Sequence, residues 1–154
     1  MKKLIFIVPL MLLFLVGCSD NSKSGVITCT LSSNNVVNGY QLQSTYKINY
    51  TGKHIESVDT EEIIITDSDD ILNYFETTLN DTYKKTNDAY GGYTYTVTKE
   101  AGRVTSKVTI DYNEMNLNQF VNDQPTLKTY VEDGKMLVDG IKNLYTSMGA
   151  TCSE

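Results

Sequence analysis

The stretch YQLQSTYKINY, residues 40–50, alternates with a period of two. Tyr40, Leu42, Tyr46, Ile48 and Tyr50 fall on one side, with Ser44 the exception. Gln41, Gln43, Thr45, Lys47 and Asn49 fall on the other. Such alternation is that of a strand with one buried and one wet face. Strands of that kind belong to antiparallel sheets, because parallel sheets are covered on both sides and read as continuous apolar runs.

Upstream, residues 26–31 predict a shorter strand carrying Ile27, Cys29 and Leu31 on one side, with NNVVNG as its connection onward. Downstream, Thr51 and Gly52 turn the chain into a third strand over 53–66, whose isoleucines at 63–65 are its most β-prone part. The period then changes. Ile71, Leu72, Phe75, Leu79 and Tyr83 recur at helical spacing, with residues 67–70 to supply a capping residue and negative charge at the first turn. Lys84 and Lys85 are expected in the last turn, and Gly91-Gly92 ends the segment.

Two further strands follow, 93–98 and 104–112, joined by EAGR as a hairpin. A short helix presents Leu117, Phe120 and Val121 on one face, with Pro125 beyond its end. A final helix from about residue 133 is expected to bury Leu137, Ile141, Leu144, Tyr145 and Met148, with Gly149 as its cap. The order βββ-α-ββ-α-α predicts an α+β domain: an antiparallel sheet of about five strands with helices packed on one face. The opposite face, rich in Thr, Gln and Lys, meets water.

The N-terminus carries an address. Lys2 and Lys3 precede thirteen residues, 4–16, that are apolar apart from Pro9. A membrane-spanning helix needs about 20 such residues, so the run fits a secretory signal. It ends in Leu15-Val16-Gly17-Cys18, which resembles the bacterial lipobox. That resemblance implies a signal peptide over 1–17, a diacylglyceryl thioether on Cys18, cleavage before Cys18, and acylation of the new amine by palmitate-type chains. Two or more chains anchor a protein stably where one binds marginally. Residues 18–25 then form the lipidated Cys and a flexible polar tether. Residues 26–154 form one domain, since no composition break or repeat divides them. Loss of residues 1–17 removes two lysines and no acid, taking the net charge from −6 to −8. Such a domain is repelled by nucleic acid and by anionic headgroups.

With Cys18 lipidated, Cys29 and Cys152 remain, an even pair in an exported chain and hence a natural disulfide. The alternative is two buried free thiols, since spacing does not establish geometry. A structural metal site is disfavoured by the single histidine and the absence of a CxxC pair.

The lipobox, the domain size, the strand-rich first half and the strand-to-helix stretch VTIDYNEMNLNQF (108–120) together resemble the YehR-like bacterial lipoproteins. The resemblance covers most of residues 26–148. It implies an α+β fold and an envelope location, and it transfers no catalytic site, the family being functionally uncharacterised.

No catalytic constellation is legible. His54 has no partnered nucleophile in a motif and reads as a solvated turn or edge residue. TDSDD (66–70) lacks the glycine and distal Glu of a calcium loop and reads as helix capping. The eleven tyrosines are the strongest compositional bias. They read first as core with polar edges; the sharper reading is a groove between sheet and helices, lined by Tyr40, Tyr46, Tyr93 and Tyr95, that takes a hydrophobic ligand. The expectation is therefore a lipid-anchored, extracytoplasmic envelope protein without cofactor or enzymatic activity. Its partners would be the membrane through its lipid, and an envelope protein or small hydrophobic ligand. The alternative is a carrier or chaperone of such a ligand.

Overall fold

The computed structural model describes residues 23–35 and 38–154. The signal peptide expected over 1–17, the lipidation site Cys18 and most of the tether lie outside the described residues.

Three long strands, β1 (Ser24–Asn35), β2 (Tyr40–Thr51) and β3 (His54–Ile65), form an antiparallel meander. Helix α1 (Asp69–Tyr90) leads into the hairpin of β4 (Tyr93–Glu100) and β5 (Arg103–Asp111). Helix α2 (Leu117–Asp123) and a 3₁₀ turn (Pro125–Tyr130) follow, then a small ladder of β6 (Val131–Glu132) and β7 (Lys135–Met136). Helix α3 (Val138–Ser147) and β8 (Thr151–Ser153) end the chain. The main sheet has six strands in the order β4-β5-β3-β2-β1-β8, all antiparallel. The fold is α+β, as the alternation of β2 predicts, with one strand more than expected in the main sheet and a two-stranded ladder beside it.

The register explains the core. Ile27, Ile48, Val58, Ile110 and Tyr93 lie in one row across five strands. Cys29, Tyr46, Thr60, Val108 and Tyr95 form the next. Leu117, Phe120 and Val121 of α2 and Val138 and Ile141 of α3 pack on this face in one cluster with Ile27, Ile48 and Val58. Ile48 is fully enclosed, and a side chain of that size contributes about 2–3 kcal/mol by leaving water.

Several boundaries differ from expectation. Ser24 and Gly25 belong to β1, paired with Thr51 and Tyr50, so the tether is shorter than 18–25. At Gly25 a Cβ would sit 2.4 Å from the Tyr50 hydroxyl oxygen, so the end of the Tyr50 ring lies over the space a side chain would fill. Helix α1 runs on to Tyr90, leaving Lys84 and Lys85 before its last turn; Lys84 instead pairs with Asp88 at 2.6 Å. Its cap is Ser68, whose Oγ accepts from the Ile71 N–H at 3.4 Å. Asp133 and Gly134 start no helix. With φ of 51° and 73° they turn the β6-β7 hairpin, as Asp-Gly pairs do, and α3 begins at Val138. Met148, expected inside, is 54% exposed.

Candidate functional site

Cys29 and Cys152 face each other across β1 and β8 and form a disulfide, with their Cα atoms 3.9 Å apart. The bridge closes a sequence separation of 123 residues. Its partner strand β8 is paired only through Thr28, Cys29 and Thr30, so the covalent bond is the main tie of the C-terminus to the sheet.

The four tyrosines expected to line one groove each have a different neighbour. Tyr46 is 4% exposed and stacks on Tyr145 of α3, ring centroids 4.1 Å apart at 14°. Tyr95 meets Tyr83 of α1 at 5.6 Å. Tyr93 lies half-buried beside Ile110 of β5. Tyr40 stands apart at the end of β2, edge-on to Phe75 at 5.0 Å. Stacked rings thus occupy the space between β2 and α3 where a ligand groove was expected.

The exception at Ser44 has a structural counterpart that the isoleucine run concealed. Ser44, Glu62 and Ser106 are register partners on β2, β3 and β5, so a polar stripe crosses the helix-covered face. Glu62 shares its side with Val58 and Ile64, a parity that the doublet Glu61-Glu62 ahead of three isoleucines obscures. The Tyr46 hydroxyl donates to Glu62 Oε1 at 3.4 Å and the Tyr83 hydroxyl to Oε2 at 3.2 Å. Tyr83 also lies 3.3 Å from Ser106 Oγ. Ser44 is 3% exposed; its Oγ lies near enough to the Tyr46 hydroxyl to oppose the rise in that group's pKa, yet makes no hydrogen bond of ordinary geometry among the described residues.

Burial makes the tyrosine layer pH-sensitive, and Glu62 of the stripe adds to the effect. Burial raises the pKa of Tyr46, Tyr83, Tyr93, Tyr112 and Tyr145 above the ordinary phenol value. The Glu62 charge adds to the rise at Tyr83, Tyr46 and Tyr145. A phenol that holds its proton more tightly when folded contributes stability that is complete below its unfolded pKa, about 10, and is lost as pH climbs past it. On alkaline titration these five phenols are expected to ionise above the ordinary value of about 10, together with loss of circular dichroism. Ionisation of these five at the ordinary phenol pH with the fold intact would contradict this.

His54 is corrected from solvated to half-buried, with its Nε2 enclosed and without a hydrogen-bond partner among the described residues; its backbone bridges to Leu137. It begins β3, eight residues before Glu62, or about 26 Å along an extended strand. The two serines of the stripe therefore have no imidazole at hand, and the stripe holds no serine–histidine pair. Among the described residues no group of three or more His, Cys, Asp or Glu is placed to hold a metal ion.

The water-facing side of the sheet forms a trough of about 390 Å³, lined by Thr45, Lys47, Asp59, Glu61, Thr96 and Lys107 among others. Three of its four charged groups are engaged: Lys107 lies 3.3 Å from Glu61, and Asp59 accepts from Asn49 at 3.0 Å and Thr109 at 2.7 Å. At the end of the sheet where β1 meets β2, two hollows share Tyr40. One, of about 500 Å³, is bounded by Asp70, Ile71, Tyr74 and Phe75; the other, of about 300 Å³, by Ile65 and Asp67.

No family model matches the chain, and no curated protein matches it. Two solved structures are similar in fold. One is the NMR structure of a protein from Streptococcus pneumoniae TIGR4, 13% identical over 99% of this chain and 96% of that one, with a TM-score of 0.51. The other is the NMR structure of the E. coli YehR protein, 17% identical over 85% of this chain and 91% of that one, with a TM-score of 0.53. At these identities the likeness is one of architecture. The chain is thus YehR-like in fold, in line with the resemblance carried by residues 108–120.

Proposed function

We propose that this chain is a lipid-anchored protein of the bacterial cell envelope, fixed through Cys18 on the extracytoplasmic side, whose domain works by binding. The observation that carries this reading is the thirteen-residue apolar run closing on Leu15-Val16-Gly17-Cys18. The Cys29–Cys152 bridge supports it, since such bonds persist in oxidising compartments and are rare in the cytosol. Binding is favoured over catalysis because, in the polar stripe of the covered face, Glu62 and Ser106 spend their groups on structural hydrogen bonds with Tyr46 and Tyr83. It is favoured over carriage of a hydrophobic ligand because Tyr46 and Tyr145 stack in the layer such a ligand would enter. The acidic balance disfavours nucleic acid as partner.

Cys18→Ser tests the anchor. The wild-type protein is expected in the detergent phase and to incorporate labelled palmitate. The variant is expected in the aqueous phase or as an uncleaved precursor. A cleaved Cys18→Ser product that still partitions into detergent would refute lipidation.

A further inference from the structure

The geometry points to the double hollow around Tyr40 as the docking surface for a basic, apolar-bearing peptide segment of a partner protein. This rests on the binding reading above and names its surface. The site is built of apolar side chains left open to solvent. Tyr74 is 62% exposed and Ile65 37%, two of the few large apolar residues so placed. Tyr74 stands edge-on to Phe75 at 5.4 Å, and Phe75 stands edge-on to Tyr40 at 5.0 Å. Rigid rings clustered in this way are the side chains that supply contact area at low entropic cost.

The hollows are preorganised. Thr66 Oγ1 donates to the Gly39 carbonyl at 2.7 Å and accepts from the Ser68 N–H at 3.2 Å. The Thr66 N–H donates to the Gly102 carbonyl at 3.1 Å. One residue thereby joins Gly39 just before β2, the start of α1 and the β4-β5 turn, so these parts of the surface need little ordering on binding.

Charge selects the occupant. Each hollow carries a carboxylate, Asp67 in one and Asp70 in the other, and no basic residue is among the described residues lining either. An apolar floor with an acidic rim fits a cationic side chain on an apolar stem, and the chain's acidic balance steers such a partner in. The same charge repels an anionic bilayer. Position agrees. Cys18 and Ser24 are six residues apart, a reach of at most about 20 Å. Strand β1 carries the chain about 40 Å further, from Ser24 to the Tyr40 end. An upright domain presents the hollows to whatever lies beyond the membrane surface.

The test uses the full-length protein, taken from whichever fraction holds it, and fluorescent twelve-residue peptides in three matched sets: lysine with phenylalanine, glutamate with phenylalanine, and serine with phenylalanine. Anisotropy is expected to show the lysine set binding, with Tyr74→Ser weakening it about tenfold. Asp67→Asn with Asp70→Asn is expected to weaken it about threefold and to flatten its salt dependence. Both changes are at exposed positions, and unaltered thermal unfolding verifies the fold. Equal binding of the three sets, no binding of the lysine set, or indifference to Tyr74→Ser overturns the proposal. So does Tyr74-dependent binding to phosphatidylethanolamine–phosphatidylglycerol vesicles with none to peptide, which would make the patch a lipid contact. Failure of the anchor is read separately, from detergent partition of Cys18→Ser. A soluble protein that still takes the lysine set through Tyr74 keeps the surface and loses only its orientation.

Discussion

Replacing Cys29 and Cys152 together by alanine is expected to remove about 3–5 kcal/mol of unfolding free energy and to lower the melting temperature by about 10–20 °C. The bond spans a separation of 123 residues, so most of the described chain lies inside the loop it closes. In the chain-entropy model so large a loop restrains the unfolded state by about 5 kcal/mol. The folded state suffers as well, because β8 is three residues long and pairs with β1 only at residues 28–30. Freed of the bridge, it has little to hold it. Denaturant titration of the double variant, and of the native protein with and without reductant, checks both. A loss below about 1 kcal/mol would mean that β8 is held by its backbone pairing alone. Both cysteines are changed at once so that no unpaired thiol confuses the result.

Gly92→Ala is expected to cost about 3–5 kcal/mol, from strain at positive φ added to overpacking. Gly92 has φ of 76°, and a Cβ there would lie 2.6 Å from the Asp111 carbonyl oxygen and 3.0 Å from the Met115 nitrogen. Both are backbone atoms and have no rotamer by which to withdraw. The junction is braced on each side: the Asp111 N–H donates to the Gly92 carbonyl at 2.8 Å, and the Asn116 N–H to that of Tyr90 at 2.7 Å. Gly134→Ala is the control. Its φ of 73° is similar, but nothing lies within 4 Å of the added carbon, so about 1–2 kcal/mol of backbone strain is all that is expected. Equal losses at the two positions, measured by denaturant titration, would show that crowding at Gly92 is relieved by movement of the loop.

Elements whose burial is set by their own periodicity were legible. The alternation over 40–50 predicted β2 to within a residue, and the apolar spacing from Ile71 to Tyr83 located α1. What escaped notice depends on distant partners. The three residues of β8 are too few to display a period, and they become a strand only because β1 presents an open edge and Cys29 a sulfur. Glu62 was hidden by the apolar run beside it; Ser44, its register partner, was the visible sign that the covered face carries polar groups. Asp133-Gly134 did carry a signal, that of a tight hairpin, which the apolar spacing from Leu137 onward outweighed. The tyrosines were correctly sorted to the covered side of the strands. Their division between a filled layer around Tyr46 and an open patch around Tyr40 follows from where α1 and α3 lie, which no local pattern encodes.

The cross-strand bond has a mechanical consequence. It turns residues 29–152 into a covalent ring. A protease or unfolding motor that pulls from the C-terminal side meets the crosslink at Cys152. Tension applied at the N-terminal end can peel only the first residues of β1 before the sulfur bridge takes the load. Unravelling from either end is thereby arrested while the rest of the sheet stays shut.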